Sequence, residues 1–93
     1  MAGSVSVESM AVKSGIGVCK TCVHELQTAS KTLKRSYQNA GSEGWNDQKY
    51  IRLGGIVEEC ASALEGPIGE LQNCQSTLGK LLDAIQEYEE NNL

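Results

Sequence analysis

An all-α fold, an antiparallel two-helix hairpin, is predicted by three features of this 93-residue chain. Apolar residues advance in alternating steps of four and three through Val12, Ile16, Cys19, Val23, Leu26, Leu33, Tyr37 and Ala40, with Ser30 the one polar member of the series. That spacing belongs to an amphipathic helix with a heptad seam. The same rhythm returns through Tyr50, Leu53, Val57, Cys60, Leu64, Pro67, Leu71, Cys74, Leu78, Leu81, Ile85 and Tyr88. Between the two series lies the segment NAGSEGWNDQKY, Asn39 to Tyr50, which crowds Gly41, Ser42, Gly44, Asn46 and Asp47 around the only tryptophan, Trp45.

The first helix is expected over about residues 5–39, and Lys31, Lys34 and Arg35 near its end suit the negative pole of the helix dipole. A bend follows over about 40–46, where Gly41 and Gly44 supply the positive φ that stops a helix and Asn46 caps the next one. With Asn46 as N-cap, Trp45 and Tyr50 would form a hydrophobic staple across the start of helix two. Recognition by an exposed indole is the rival role for Trp45. Two long helices joined by a short loop fold back antiparallel. Facing residues then pair at a constant sum of residue numbers, setting Tyr37 against Tyr50, Leu33 against Leu53, Leu26 against Cys60, Val23 against Leu64, Ile16 against Leu71 and Val12 against Cys74.

The second helix is expected over about residues 47–88. At 1.5 Å per residue it is about 65 Å long against about 50 Å for the first, so Ile85 and Tyr88 overhang. A tail over 89–93 is expected to fray, because Glu87, Glu89 and Glu90 oppose the dipole at a helix C-terminus. Glycines throughout both helices, together with Pro67, make the isolated helices weak. Gly66-Pro67 is expected to kink the second helix, with a true break as the alternative. A further line on helix two, Gly54, Ala61, Ile68 and Leu82 with Ile56 and Ala63 nearby, cannot be covered by a two-helix hairpin. Ile56, Ala61, Ile68 and Leu82 are therefore the expected dimer face, and a four-helix bundle the expected assembly.

Composition narrows the function. Four aromatic residues and no phenylalanine leave a thin core, which favours association with another chain. A net charge of -4 with scattered lysine and arginine gives no footprint for a phosphate backbone, so nucleic acid is excluded as a partner. No run approaches the ~20 apolar residues that span a bilayer, so no membrane insertion is expected. Met1 to Lys13 has no basic cluster ahead of an apolar run, unlike a signal peptide. The expectation is a protein cytoplasmic when made, with any export independent of a cleaved leader.

The four cysteines, Cys19, Cys22, Cys60 and Cys74, match a zinc site in number. Their spacing opposes one: Cys60 and Cys74 stand about 21 Å apart along a continuous helix. In the pairing above Cys19 faces Pro67, and Cys22 lies nearly a turn from Cys60, too far for an unstrained disulfide. They are expected to pack as small apolar groups, and no metal site is expected. His24, the only histidine, has no patterned nucleophile or carboxylate partner and reads as a solvated surface residue. No phosphate-binding loop or nucleophile elbow is present, and no paired carboxylates are placed over a concave site. The chain is not expected to be an enzyme or to hold a cofactor, and no residue is assigned as catalytic.

The hairpin length, the helical pattern and a tryptophan in the central bend of GWNDQKY together resemble the WXG family of small helical proteins handled by type VII secretion. The family's Trp-x-Gly stands here as Trp45-Asn46-Asp47, more like the divergent WXG-like proteins of Gram-positive bacteria, some of which accompany LXG-type toxins. The family's export signature, a tyrosine followed four residues later by an acid, is replaced by Tyr88 and Asn92, which fits a partner exported or presented with another chain. The resemblance implies a hairpin that forms a homodimer, or a heterodimer with a related hairpin or an LXG-type effector. It would serve secretion as substrate, adaptor or chaperone. Trp45, Asn46 and Asp47 would form one half of the recognition site, and Ile85 and Tyr88 of a partner the other. The alternative is a cytosolic structural or regulatory coiled-coil module without a secretion role, and a thiol-based metal or redox protein is a third reading.

Overall fold

The structure, a computed structural model, describes the backbone of residues 2–91 and the side chains of residues 7–90. Helix α1 spans Ala2–Ser42 and helix α2 spans Gln48–Asn91, with no strand among the described residues. The all-α helical hairpin is the fold. Its helices contribute to two compact units, one joining α1 up to Val23 with α2 from Glu70 onward, the other running from His24 to Gly69.

In the unit from His24 to Gly69, α1 turns Leu26, Ser30, Tyr37 and Ala40 inward, with Leu33 at the edge. That is the expected seam. On α2 the interior positions are Tyr50, Gly54, Val57, Ala61, Leu64 and Ile68, of which Val57 and Ala61 are the most buried. Cys60 and Pro67 face out. The expected α2 line is therefore half right: Tyr50, Val57 and Leu64 keep their places, while Gly54, Ala61 and Ile68 replace Leu53, Cys60 and Pro67. Leu53 remains half-buried on the flank. Steps of three-then-four and four-then-three are equally apolar here. At Gly54 size decides, since a Cβ there would strike the Tyr37 hydroxyl.

The other unit repeats this phase. On α1, Ser9 and Val23 are buried and Val12, Ile16, Cys19 and Cys22 half-buried; on α2, Leu71, Gln75, Leu78, Leu82 and Ile85 are half-buried. Cys74, Leu81 and Tyr88 are exposed. Ala61, Ile68 and Leu82, three of the four residues assigned to a dimer face, thus lie on the inner line of α2, and Ile56 alone of that set is half exposed, at 50%.

The bend also sits later than expected. Helix α1 continues through Gly41 and Ser42, and the described residues outside helices are those from Glu43 to Asp47. Moving the centre of reversal along the chain changes the constant at which facing residues pair. Tyr37 still meets Tyr50, but Gly15 lies against Leu78 rather than near Leu71. Pro67 stands inside an unbroken α2, so the alternative of a true break is ruled out. A proline there removes one backbone donor, and the carbonyl four residues earlier belongs to exposed Ala63, where water can replace it. Helix α2 also runs on through Glu89 and Glu90 to Asn91, into the segment expected to fray; positions 92 and 93 lie outside the described residues.

Candidate functional site at the bend

Helix α1 stops at Gly44, the one described residue with positive φ, 105°. Its N–H donates to the carbonyl of Gly41 at 3.1 Å, and the Trp45 N–H donates to the carbonyl of Ala40 at 3.1 Å. These two bonds are the Schellman closure, which satisfies carbonyls that the end of a helix leaves bare. Trp45 therefore occupies the position just past the left-handed residue, where an apolar side chain commonly folds back over the last turn.

Helix α2 is capped by Asp47, a correction to the expectation that placed Asn46 there. Asp47 Oδ1 accepts the backbone N–H of Tyr50 at 3.0 Å, and the Asp47 carbonyl accepts the N–H of Ile51 at 3.2 Å. A carboxylate at this position satisfies an orphan donor and meets the positive pole of the helix. The same Oδ1 accepts the indole Nε1–H of Trp45 at 2.9 Å. One carboxylate thus ties the tryptophan to the start of α2, which a glycine at position 47 could not do.

Three of the four aromatic residues meet here. The Tyr37 and Tyr50 rings stack at 4.2 Å between centroids and 9° between planes, and Trp45 tilts against Tyr50 at 5.5 Å and 53°. The expected contact of Trp45 with Tyr50 is present, one residue further from the cap than a staple requires. Tyr50 Oη donates to the carbonyl of Tyr37 at 3.1 Å. Desolvation beside the stacked ring raises the Tyr50 pKa above its ordinary value of 10.0, helped by the hydrogen bond to Tyr37 and by the charge Tyr37 would carry at high pH.

Two glycines seat this clasp. A Cβ on Gly41 would strike the Tyr50 hydroxyl, and a Cβ on Gly54 would strike the Tyr37 hydroxyl. Each phenol reaches across to a glycine on the other helix. From sequence alone Gly41 is a turn former and Gly54 a cost to helix stability. The signal was present all the same, because each tyrosine is followed by glycine four residues later, one turn along its own helix.

Of the residues assigned to recognition, Trp45, Asn46 and Asp47 lie together at the bend and are exposed, Trp45 at 39%. Ile85 is half-buried in the other unit and Tyr88 is 62% exposed there. Next to the bend, Gln48, Lys49, Ile51 and Arg52 line a shallow depression with Ile51 exposed. His24 is exposed, and Cys60 and Cys74 are exposed thiols rather than packing groups, while Cys19 and Cys22 are half-buried. Among the described residues no three His, Cys, Asp or Glu side chains gather closely enough to hold a metal ion, and no helix is long and apolar enough to cross a membrane. Comparison with protein families, characterised proteins and solved structures finds no match to this chain.

Proposed function

We propose that this protein is a non-enzymatic helical hairpin that works by pairing with a second helical hairpin, as substrate, adaptor or chaperone in type VII secretion. The observation that carries the pairing is an exposed apolar pair on α2 within each unit, Ile56 and Cys60 in the unit from His24 to Gly69 and Leu81 and Tyr88 in the other. The secretion setting rests on the resemblance at Trp45. Its support is local: the two helix ends are closed by backbone bonds and by Asp47, so an indole 39% exposed is more than the turn requires. Aromatic side chains in desolvated pockets commonly dominate binding.

The test separates pairing from export. Light scattering on the purified chain, alone and with hairpin proteins encoded beside it, should show a dimer or larger complex. In the host, loss of the secretion ATPase should retain the protein inside the cell. A complex that forms normally and whose location ignores the secretion apparatus would replace this reading with the cytosolic coiled-coil module.

A further inference from the structure

The geometry points to Tyr37 and Tyr50 as an oxidative modification site: a peroxidase and hydrogen peroxide couple the two stacked phenols into an intrachain dityrosine bridge that fastens α1 to α2 beside the bend. The inference stands apart from the pairing reading, because it needs one copy of the chain and lies wholly within the unit from His24 to Gly69.

Two conditions decide whether a pair of tyrosines couples. The rings must approach in the right orientation, and they must meet each other more often than they meet rings on other molecules. The new bond joins the ring carbons beside the two hydroxyls and grows from orbitals perpendicular to each ring plane. Rings stacked face to face therefore already hold the approach that coupling uses. Tyr37 and Tyr50 stand 4.2 Å apart between centroids and 9° from parallel. Each hydroxyl crosses to the opposite helix, that of Tyr50 to Gly41 on α1 and that of Tyr37 to Gly54 on α2, so the rings overlap in the space between the helices. The Tyr50 hydroxyl is held further by its bond to the Tyr37 carbonyl at 3.1 Å. Rings kept in contact in this way react as one molecule, with the high effective concentration that fixed orientation confers.

Access comes through the neighbouring ring. Both phenols are half-buried, but Trp45 is 39% exposed and tilts against Tyr50 at 5.5 Å between centroids. An oxidant at the surface draws electrons through this indole. The remaining tyrosine, Tyr88, belongs to the other unit and is 62% exposed. It provides an internal measure of coupling between chains.

The chemistry closes on one equivalent of peroxide. Each phenol gives one electron to the peroxidase and its hydroxyl proton to solvent, leaving a phenoxyl radical. The two radicals join through a carbon–carbon bond between the carbons beside their oxygens. Each of those carbons then loses its hydrogen as a proton while the oxygen regains one, and both rings become aromatic again. The chain has lost two electrons and two protons in all, which reduce one hydrogen peroxide to two waters. The bridge spans thirteen positions of chain. It closes a loop in the unfolded state but joins rings already in contact in the fold, so it resists unfolding without displacing either helix.

The experiment treats full-length chain with horseradish peroxidase and hydrogen peroxide. One arm is wild type, reduced with thiol afterwards, and the other carries C19A, C22A, C60A and C74A so that no thiol competes for the radicals. Mixed nitrogen-15-labelled and unlabelled chains separate bridges within a chain from bridges between chains. Peptide mapping should find Tyr37 joined to Tyr50 of the same isotope, with the mass of two hydrogens lost and dityrosine fluorescence gained. This bridge should exceed all bridges through Tyr88 by at least about tenfold, and unfolding in urea before oxidation should lower it by a similar factor. Tyr37→Phe and Tyr50→Phe should each abolish it, and the purified bridged chain should keep its helicity and unfold at higher urea. Bridges mainly through Tyr88, an equal yield of the Tyr37–Tyr50 bridge from the unfolded chain, or oxidation confined to Trp45 would overturn the inference. So would a bridged chain that has lost its helicity. The oligomeric state tested under the proposed function bears on none of these outcomes, so the two readings fail separately.

Discussion

At the scale of single residues, glycine has opposite meanings at positions that look alike in sequence. Gly41→Ala and Gly54→Ala would each drive a methyl group into a tyrosine hydroxyl. Each should destabilise by about 1–3 kcal/mol through overpacking, despite the better helix propensity of alanine. Gly17→Ala and Gly55→Ala meet nothing within 4 Å and should stabilise by up to about 1 kcal/mol. Urea melts of the four variants check the contrast. Asp47→Ala removes an acceptor used twice and should cost about 0.5–2 kcal/mol, whereas Asn46→Ala should change little. The Tyr50 hydroxyl has a pKa raised in the fold, so folding favours its neutral form. Its contribution is fully present below the ordinary tyrosine value of about 10 and is lost as pH rises through the higher folded value. Phenolate absorbance of Tyr50, isolated by comparison with Tyr50→Phe, should therefore lag behind that of a free tyrosine, and helicity should fall as it appears.

At the scale of elements, the existence and type of both helices were legible because apolar spacing of three and four is dictated by helix geometry whatever lies opposite. The phase of α2 was not. Two lines of α2 share Tyr50, Val57 and Leu64, and the choice between them turns on whether Gly54 and Ala61 or Leu53 and Cys60 face α1, which depends on the partner helix. Val57, at 4% exposure, should cost roughly 2 kcal/mol when changed to alanine. Ile56→Ser, on the outward face, should shift the stability of the dilute chain by no more than about 0.5 kcal/mol and weaken self-association instead. Chemical denaturation at two protein concentrations separates the two effects.

At the scale of the molecule, the described residues bury little: Val23, Val57 and Ala61 are the buried hydrophobic residues, and no large side chain is fully enclosed. Apparent stability should therefore rise with protein concentration, as mass action requires when folding and association are coupled. Trp45 links this scale to function. Trp45→Ala loses one hydrogen bond and one ring contact at an exposed site, so it should cost about 1 kcal/mol of stability with helicity retained. Under the proposed function it should also weaken partner binding tenfold or more, and Trp45→Phe should recover stability better than binding. A steep loss of folding with unchanged binding by the surviving folded fraction would make Trp45 a structural residue alone.

Heptad spacing, a glycine-rich interruption and the lack of any chain-long apolar run were enough to determine two helices, their reversal and the inner face of α1, since each depends on local geometry. The aromatic contacts of the bend were legible in part, because Tyr37, Trp45 and Tyr50 are close in sequence. Only the tertiary structure decided that Gly44 rather than Gly41 ends α1 and that Asp47 rather than Asn46 caps α2. It likewise placed Gly41 and Gly54 beneath phenol rings and turned Cys60 and Cys74 outward. Each of those choices compares two locally acceptable residues. The comparison is settled by what the opposite helix brings within contact distance, and no single stretch of sequence contains that distance.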